Sequence, residues 1–119
     1  MHISNPKGKL AEDHACNYLI QLGYSIIERN YHCRYGEIDI LAELNGQIIA
    51  VEVKSQHDPP PSTEIHISQL FTNYKKHKLR KAIQVWCAKN NHQKFVPLKC
   101  LGIIFRSDLS VHFLFENWH

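Results

Sequence analysis

The chain has little of what would place it in a membrane, an oxidising compartment or a zinc-binding class. No apolar run approaches the ~18 residues that span a bilayer, and the start Met1-His-Ile-Ser-Asn-Pro-Lys7 lacks the apolar region of a signal peptide. No membrane association and a cytoplasmic location are the expectation. Cysteines are few, four in number (Cys16, Cys33, Cys87 and Cys100), and none forms a Cys-x-x-Cys pair. That scatter reads as reduced thiols in and around a core, not a disulfide frame. Nine histidines are present, but no two stand in His-x-x-x-His spacing, which removes the simplest helical zinc site. Net charge is also scarce, at +3 over 119 residues. The length fits one domain, residues 1–119.

What is abundant is local. Asn45-Gly46 sits midway in Gly36-Glu-Ile-Asp-Ile-Leu-Ala-Glu-Leu-Asn-Gly-Gln-Ile-Ile-Ala-Val-Glu-Val-Lys54. Asn-Gly between two apolar runs is a strong hairpin signal, because both central residues of a type I′ turn need positive φ. With that turn Leu44 pairs with Gln47, Asp39 lies opposite Glu52, and Glu37 lies opposite Lys54. Side chains alternate along strands, so these four share one face, and Ile38, Ile40, Ala42, Leu44, Ile49, Val51 and Val53 form an apolar face opposite. Two negative charges ~5 Å apart repel by roughly 3 kcal/mol at an effective dielectric of 20. A divalent cation reverses that sign, and Mg²⁺ is served by one or two carboxylates plus waters and phosphate oxygens. A solvated ladder of surface charge explains Glu37–Lys54 but not Asp39–Glu52. Ile48–Val53 is otherwise apolar, as in a strand buried on both faces, so Glu52 needs a partner there.

The remaining pattern gives helices over Lys7–Leu22 and Thr72–Lys89, and strands over Tyr24–Arg29, Leu98–Arg106 and Leu109–Phe115. Asn30–Tyr35 and Gln56–Gln69 read as connections, the latter interrupted by Pro59-Pro-Pro61. In the first helix the apolar stripe centres near Ala11, Ala15 and Leu22 and ends at Gly23; Glu12 falls on its edge, where periodicity alone sends it to solvent. In the second, Leu79, Ala82, Ile83, Trp86 and Cys87 fit a helical core face. Its first turns hold Lys75, Lys76, Lys78, Arg80 and Lys81, with no acid among residues 75–81. Cations at a helix N-terminus oppose the macrodipole, yet helix and lysines together attract a phosphate. The fold class is α/β, a mixed sheet flanked by helices in the order α-β-β-β-α-β-β.

Gly36-Glu37-Ile38-Asp39 followed by Val51-Glu52-Val53-Lys54 resembles the divided Asp…Glu-x-Lys signature of the PD-(D/E)XK nucleases, which have the restriction-endonuclease-like fold. Within them the chain resembles the YraN-like family, related to archaeal Holliday-junction resolvases. Further likeness lies in Gly8-x-x-x-Glu12-x-x-Ala15, in Leu22-Gly23-Tyr24 with Arg29-Asn30, and in Thr72-Asn-Tyr-Lys75 with Leu79. The resemblance implies that Asp39, Glu52 and the Val53 carbonyl hold Mg²⁺ or Mn²⁺. It implies that Lys54 orients the attacking water, that Glu12 reaches the same site from the first helix, and that Glu37 pairs with Lys54. The implied activity is metal-dependent endonucleolytic hydrolysis of DNA, branched or structured DNA included, with Lys75, Lys76, Lys78, Arg80 and Lys81 on the nucleic acid and a homodimer as a candidate assembly. Ser55-Gln56 departs from the family's Thr-Arg and removes a phosphate-binding cation. Two alternatives stand beside the nuclease: a nucleic-acid-binding module with this fold and little turnover, and an assembly factor with a salt-linked charged hairpin.

Overall fold

The computed structural model describes residues 6–59 and 71–118. Helix α1 (Pro6–Gln21) leads into strands β1 (Ser25–Cys33), β2 (Gly36–Leu44) and β3 (Gln47–His57); helix α2 (Asn73–Lys89) follows, then β4 (Leu98–Phe105) and β5 (Val111–Asn117). The expected α-β-β-β-α-β-β order is what is found. The strands form one sheet in sequence order, antiparallel except where β3 and β4 run parallel. That parallel pair requires a crossover, and α2 lies within it.

Each helix covers one side of the sheet. Ala11, Ala15, Cys16 and Leu19 of α1 pack with Ile40, Ala42, Ile49, Val51, Val53, Leu101 and Ile103. Leu79, Ala82, Ile83 and Trp86 of α2 pack with Ile38, Leu41, Ile48, Ala50 and Leu98. Both faces of the hairpin are therefore core, and Ile38 belongs to the opposite side from Ile40. The strict two-residue alternation expected for β2 breaks at Asp39, between them. Among the described residues no helix is long and apolar enough to cross a membrane, and the four cysteines are free thiols.

Element ends follow local chemistry. Gly23 takes φ +103°, with Gly23 N–H donating to Ile20 and Tyr24 N–H to Leu19, a left-handed helix stop. Its flank is tight: a Cβ there would meet Leu44 Cδ1 at 3.3 Å. Asn45 and Gly46 have φ of 52° and 82°, as a type I′ turn demands. Leu10 and Leu22, assigned to the α1 stripe by periodicity, are instead exposed.

Three strands differ from the sequence reading by two residues or more, one of them β5, which runs Val111–Asn117 in place of Leu109–Phe115. Strand β1 continues to Cys33 through residues read as a connection, because Tyr31, His32 and Cys33 pair with Ile38, Glu37 and Gly36. Strand β3 continues to His57, where parallel pairing with Phe105 holds it. The rest of the proline-containing connection, residues 60–70, lies outside the described residues.

Candidate metal and nuclease centre

The hairpin register is as expected from Leu44–Gln47 to Ile40–Val51, and there the regular ladder ends. One step further, Asp39 and Glu52 do not continue it. Asp39 Oδ2 instead accepts the Val53 backbone N–H at 2.8 Å. A side chain has replaced the next ladder bond, and β2 separates from β3 where the carboxylates stand. Gly8, Ala11 and Glu12 of α1, Asp39 of β2, Glu52, Val53, Lys54 and Ser55 of β3, and Lys75 of α2 line the resulting cleft of about 330 Å³.

Glu52 is the one charged residue among the described buried side chains, 2% exposed. Its Oε1 lies 2.7 Å from Lys75 Nζ and 3.9 Å from Lys54 Nζ. Its Oε2 is buried with no hydrogen-bond partner. An unpartnered buried carboxylate oxygen costs about 1–3 kcal/mol or more, so Glu52 Oε2 is held there against its solvation. Asp39 is held well above the ordinary carboxylate range by burial and by the charge of Glu52, against the opposing hydrogen bond from Val53. Glu12 is also raised, by burial and by Glu37, although a hydrogen bond from Asn30 and the charge of Arg29 favour its ionised form. Burial and mutual repulsion thus oppose ionisation of these carboxyls.

Three carboxylates, Glu12, Glu37 and Asp39, can each bring one oxygen within 4.8 Å of the others. Glu12 therefore reaches the site from α1, as the family resemblance implies and against the solvent-facing reading of periodicity alone. Glu37 does not pair with Lys54. Across the β1–β2 ladder it meets His32 Nε2 at 3.4 Å, because His32 is its register partner. Among the described residues the Glu12, Glu37 and Asp39 set is the single group of three or more such side chains with ligand atoms this close; it contains no His or Cys, and Glu52, expected beside Asp39, stands outside it.

The lysines divide the work. Lys54 is lowered from its usual value by burial and by the neighbouring Lys75. Lys75 is raised: burial pulls it down, but its hydrogen bond and charge attraction to Glu52 outweigh that. The basic cluster of α2 is thus not one continuous patch. Lys75 enters the cleft; Lys78 lies over Tyr74 and Lys81 over Tyr35, at 4.9 and 5.5 Å from the ring centres. Arg80 donates to Val96 O at 2.8 Å and stacks on Phe95, and Lys76 borders a separate pocket with it.

Two supporting residues, Arg29 and Asn30, entered the sequence reading as part of the family likeness and were given no place in the site. Arg29 binds Asp13 at 2.8 Å and stands 3.7 Å from Glu12, fixing the inner face of α1 to β1. Asn30, with φ 55°, falls between Arg29–Ile40 and Tyr31–Ile38 in the register, level with Asp39, and bonds Glu12. A left-handed Asn in a polar stretch looks like a turn residue; the available signal was its adjacency to Arg29 at the strand's end.

A family profile described as "Uncharacterised protein family UPF0102" matches residues 11–109. A UPF0102 protein of Tropheryma whipplei is 35% identical over 113 residues, 90% of this chain and 89% of that one. One from Caldanaerobacter subterraneus is 34% identical over 93 residues, 76% and 71% of the two chains. One from Desulforamulus reducens is 33% identical over 110 residues, 87% and 85%. The match spans the cleft from Ala11 and Glu12 through Asp39, Glu52 and Lys54 to Lys75, and the chain belongs to the uncharacterised protein family UPF0102.

Proposed function

We propose that the protein is a metal-dependent nuclease of the PD-(D/E)XK type, hydrolysing phosphodiester bonds of DNA. The observation that carries this reading is Glu52: a carboxylate 2% exposed, one oxygen unpartnered, in one cleft with Asp39 and Lys54. The donor set fits Mg²⁺ or Mn²⁺. Oxygen ligands without imidazole or thiolate suit hard cations. Asp39, Glu52 and the Val53 carbonyl would hold the ion, with Glu12 beside them. In an extended strand a residue's N–H and C=O point to the same side, so Val53 C=O faces the gap that its N–H crosses to Asp39. A divalent ion bound there supplies Lewis acidity and lowers the pKa of bound water.

The protein's own groups do the rest. Lys54, lowered by burial and by Lys75, is suited to orienting a water and exchanging its proton. Lys75, held charged by Glu52, presents an ammonium to the non-bridging oxygens of a phosphate in the cleft. Asp39→Asn and Glu52→Gln are each expected to lower cleavage by at least ~10²-fold, the scale set by removing one electrostatic element of a transition state, with an unchanged circular dichroism spectrum. Cleavage by both purified variants at the wild-type rate sinks the reading.

One feature favours a second reading, a binding module with little turnover: Lys75 already occupies Glu52 Oε1 at 2.7 Å, where a cation would stand. Such a module binds DNA equally in EDTA and in Mg²⁺ and cleaves in neither.

A further inference from the structure

Beyond the carboxylate cleft, a second concavity of about 500 Å³ opens between α2 and the paired starts of β3 and β4 with the end of β5. Lys76 and Arg80 bring the cations to it, together with Phe95, Trp118 and Asn117; Lys99 borders it too, but its ammonium lies over Phe115, and no carboxylate belongs to the described lining. Phe95 is 70% exposed and so offers its ring to solvent at the pocket's edge. The Arg80 guanidinium lies 5.0 Å from its ring centre and is itself fixed by Val96 O. The ring thus stands beside a guanidinium held in place by a backbone carbonyl. Cations without acids select an anion, and an exposed ring selects a flat π-system. One ligand class has both: a nucleotide.

Position connects this pocket to the cleft. Lys75 and Lys76 are neighbours on α2; the first reaches Glu52, and the second borders the pocket. Glu52 is also paired with Cys100 in the ladder, one residue from Lys99. A paired base, stacked inside a duplex, cannot lay its face on Phe95. Resting on the nuclease reading above, the geometry points to a substrate with unpaired nucleotides beside the scissile phosphate, one base seated on Phe95 and its phosphates held by Lys76 beside Arg80.

The test is fluorescence anisotropy in EDTA, with full-length protein and three labelled probes: a 12-nucleotide oligothymidylate, a blunt 12-base-pair duplex, and that duplex with a five-nucleotide overhang. Phe95→Ala should weaken the single strand and the overhang by about 5- to 100-fold, the range of one lost base–aromatic stack, and change the blunt duplex less than twofold. Phe95→Trp should restore both. Unlabelled thymidine monophosphate at 1,000-fold the oligonucleotide concentration (on the order of millimolar) should not displace the strand. Equal losses on all three probes, no loss on any, or full displacement by the mononucleotide each overturn the inference. Because Phe95 is exposed, a matched thermal melt should show the Ala variant folded. The two readings fail differently: duplex cleavage that persists with Phe95→Ala indifferent on single strands removes this inference alone, whereas wild-type protein that neither binds nor cleaves any probe removes the nuclease reading with it.

Discussion

At Asp39 a carboxyl is taken from water, placed near Glu52, and given one hydrogen bond in return, from Val53. Its folded-state pKa is raised above the ordinary 3.8. The folded chain thus keeps a proton through a window where the unfolded chain has lost it, and by linkage stability falls as pH rises through that window. The favourable contribution is full below about pH 3.8 and gone above the raised value. Asparagine keeps the acceptor for Val53 N–H and discards the charge. Metal-free Asp39→Asn should therefore melt higher than wild type at pH 8, by on the order of 1 kcal/mol, or about 4 °C for a chain of this size. The advantage should vanish near pH 4. Melts in EDTA at both pH values decide it, and a variant less stable at pH 8 contradicts the electrostatic account. The same carboxyl marks where residue patterns stopped being readable. Periodicity put Asp39 opposite Glu52 because it counts backbone positions. It cannot register that a side chain will take the Val53 amide and end the ladder at Ile40–Val51, three pairs short of Glu37–Lys54.

The elements show the same division between what is repeated and what is particular. The β2–β3 hairpin was legible because Asn45-Gly46 admits one tight turn and that turn admits one register. The core face of α2 was legible because Leu79, Ala82, Ile83 and Trp86 repeat at helical spacing. The tail of β1 was not, since Asn30 and His32 look like loop; the strand exists there through pairing with β2, a tertiary gain that overrides composition. The destination of Lys75 was hidden as well, as one of five cations in a row. Its placement depends on the α2 cap: Thr72 Oγ1 accepts the Lys75 backbone N–H at 3.2 Å, so the residue that starts the helix also positions the lysine in its first turn. Thr72→Ala should cost about 1 kcal/mol, as for other N-caps. Lys75→Ala leaves Glu52 buried without its nearest cation and should cost about 1–3 kcal/mol, less than a fully buried pair because the Lys75 side chain is 40% exposed. Urea unfolding at pH 7 separates the two. A Lys75→Ala variant as stable as wild type would mean that the ion pair is a surface contact of no consequence.

For the molecule as a whole, the cleft is where α1, β2, β3 and α2 meet, and the groups that meet there repel in part. Glu12 and Asp39 resist ionisation, Glu52 keeps an empty oxygen, and Lys54 is pressed by Lys75. A fold retains such an arrangement only if something else compensates it, since natural sequences depart from local consistency chiefly at functional sites. A divalent ion held by the folded chain and not the unfolded one stabilises the fold by RT ln(1 + [L]/Kd), about 1.4 kcal/mol at ten times Kd. The expected rise in Tm is about 4–8 °C in saturating Mg²⁺ or Mn²⁺ relative to EDTA. Glu52→Gln, which removes the ligand charge while preserving shape, should abolish the rise. Calcium serves as the control for general screening, because a loss of charge repulsion spread over the surface would appear with any divalent ion and in the variant too. A shift of equal size in wild type and Glu52→Gln would place the stabilisation outside the cleft. A shift confined to wild type, together with its loss in Asp39→Asn, would make the four converging elements one metal-linked unit, with Glu52 and Asp39 as its shared ligands.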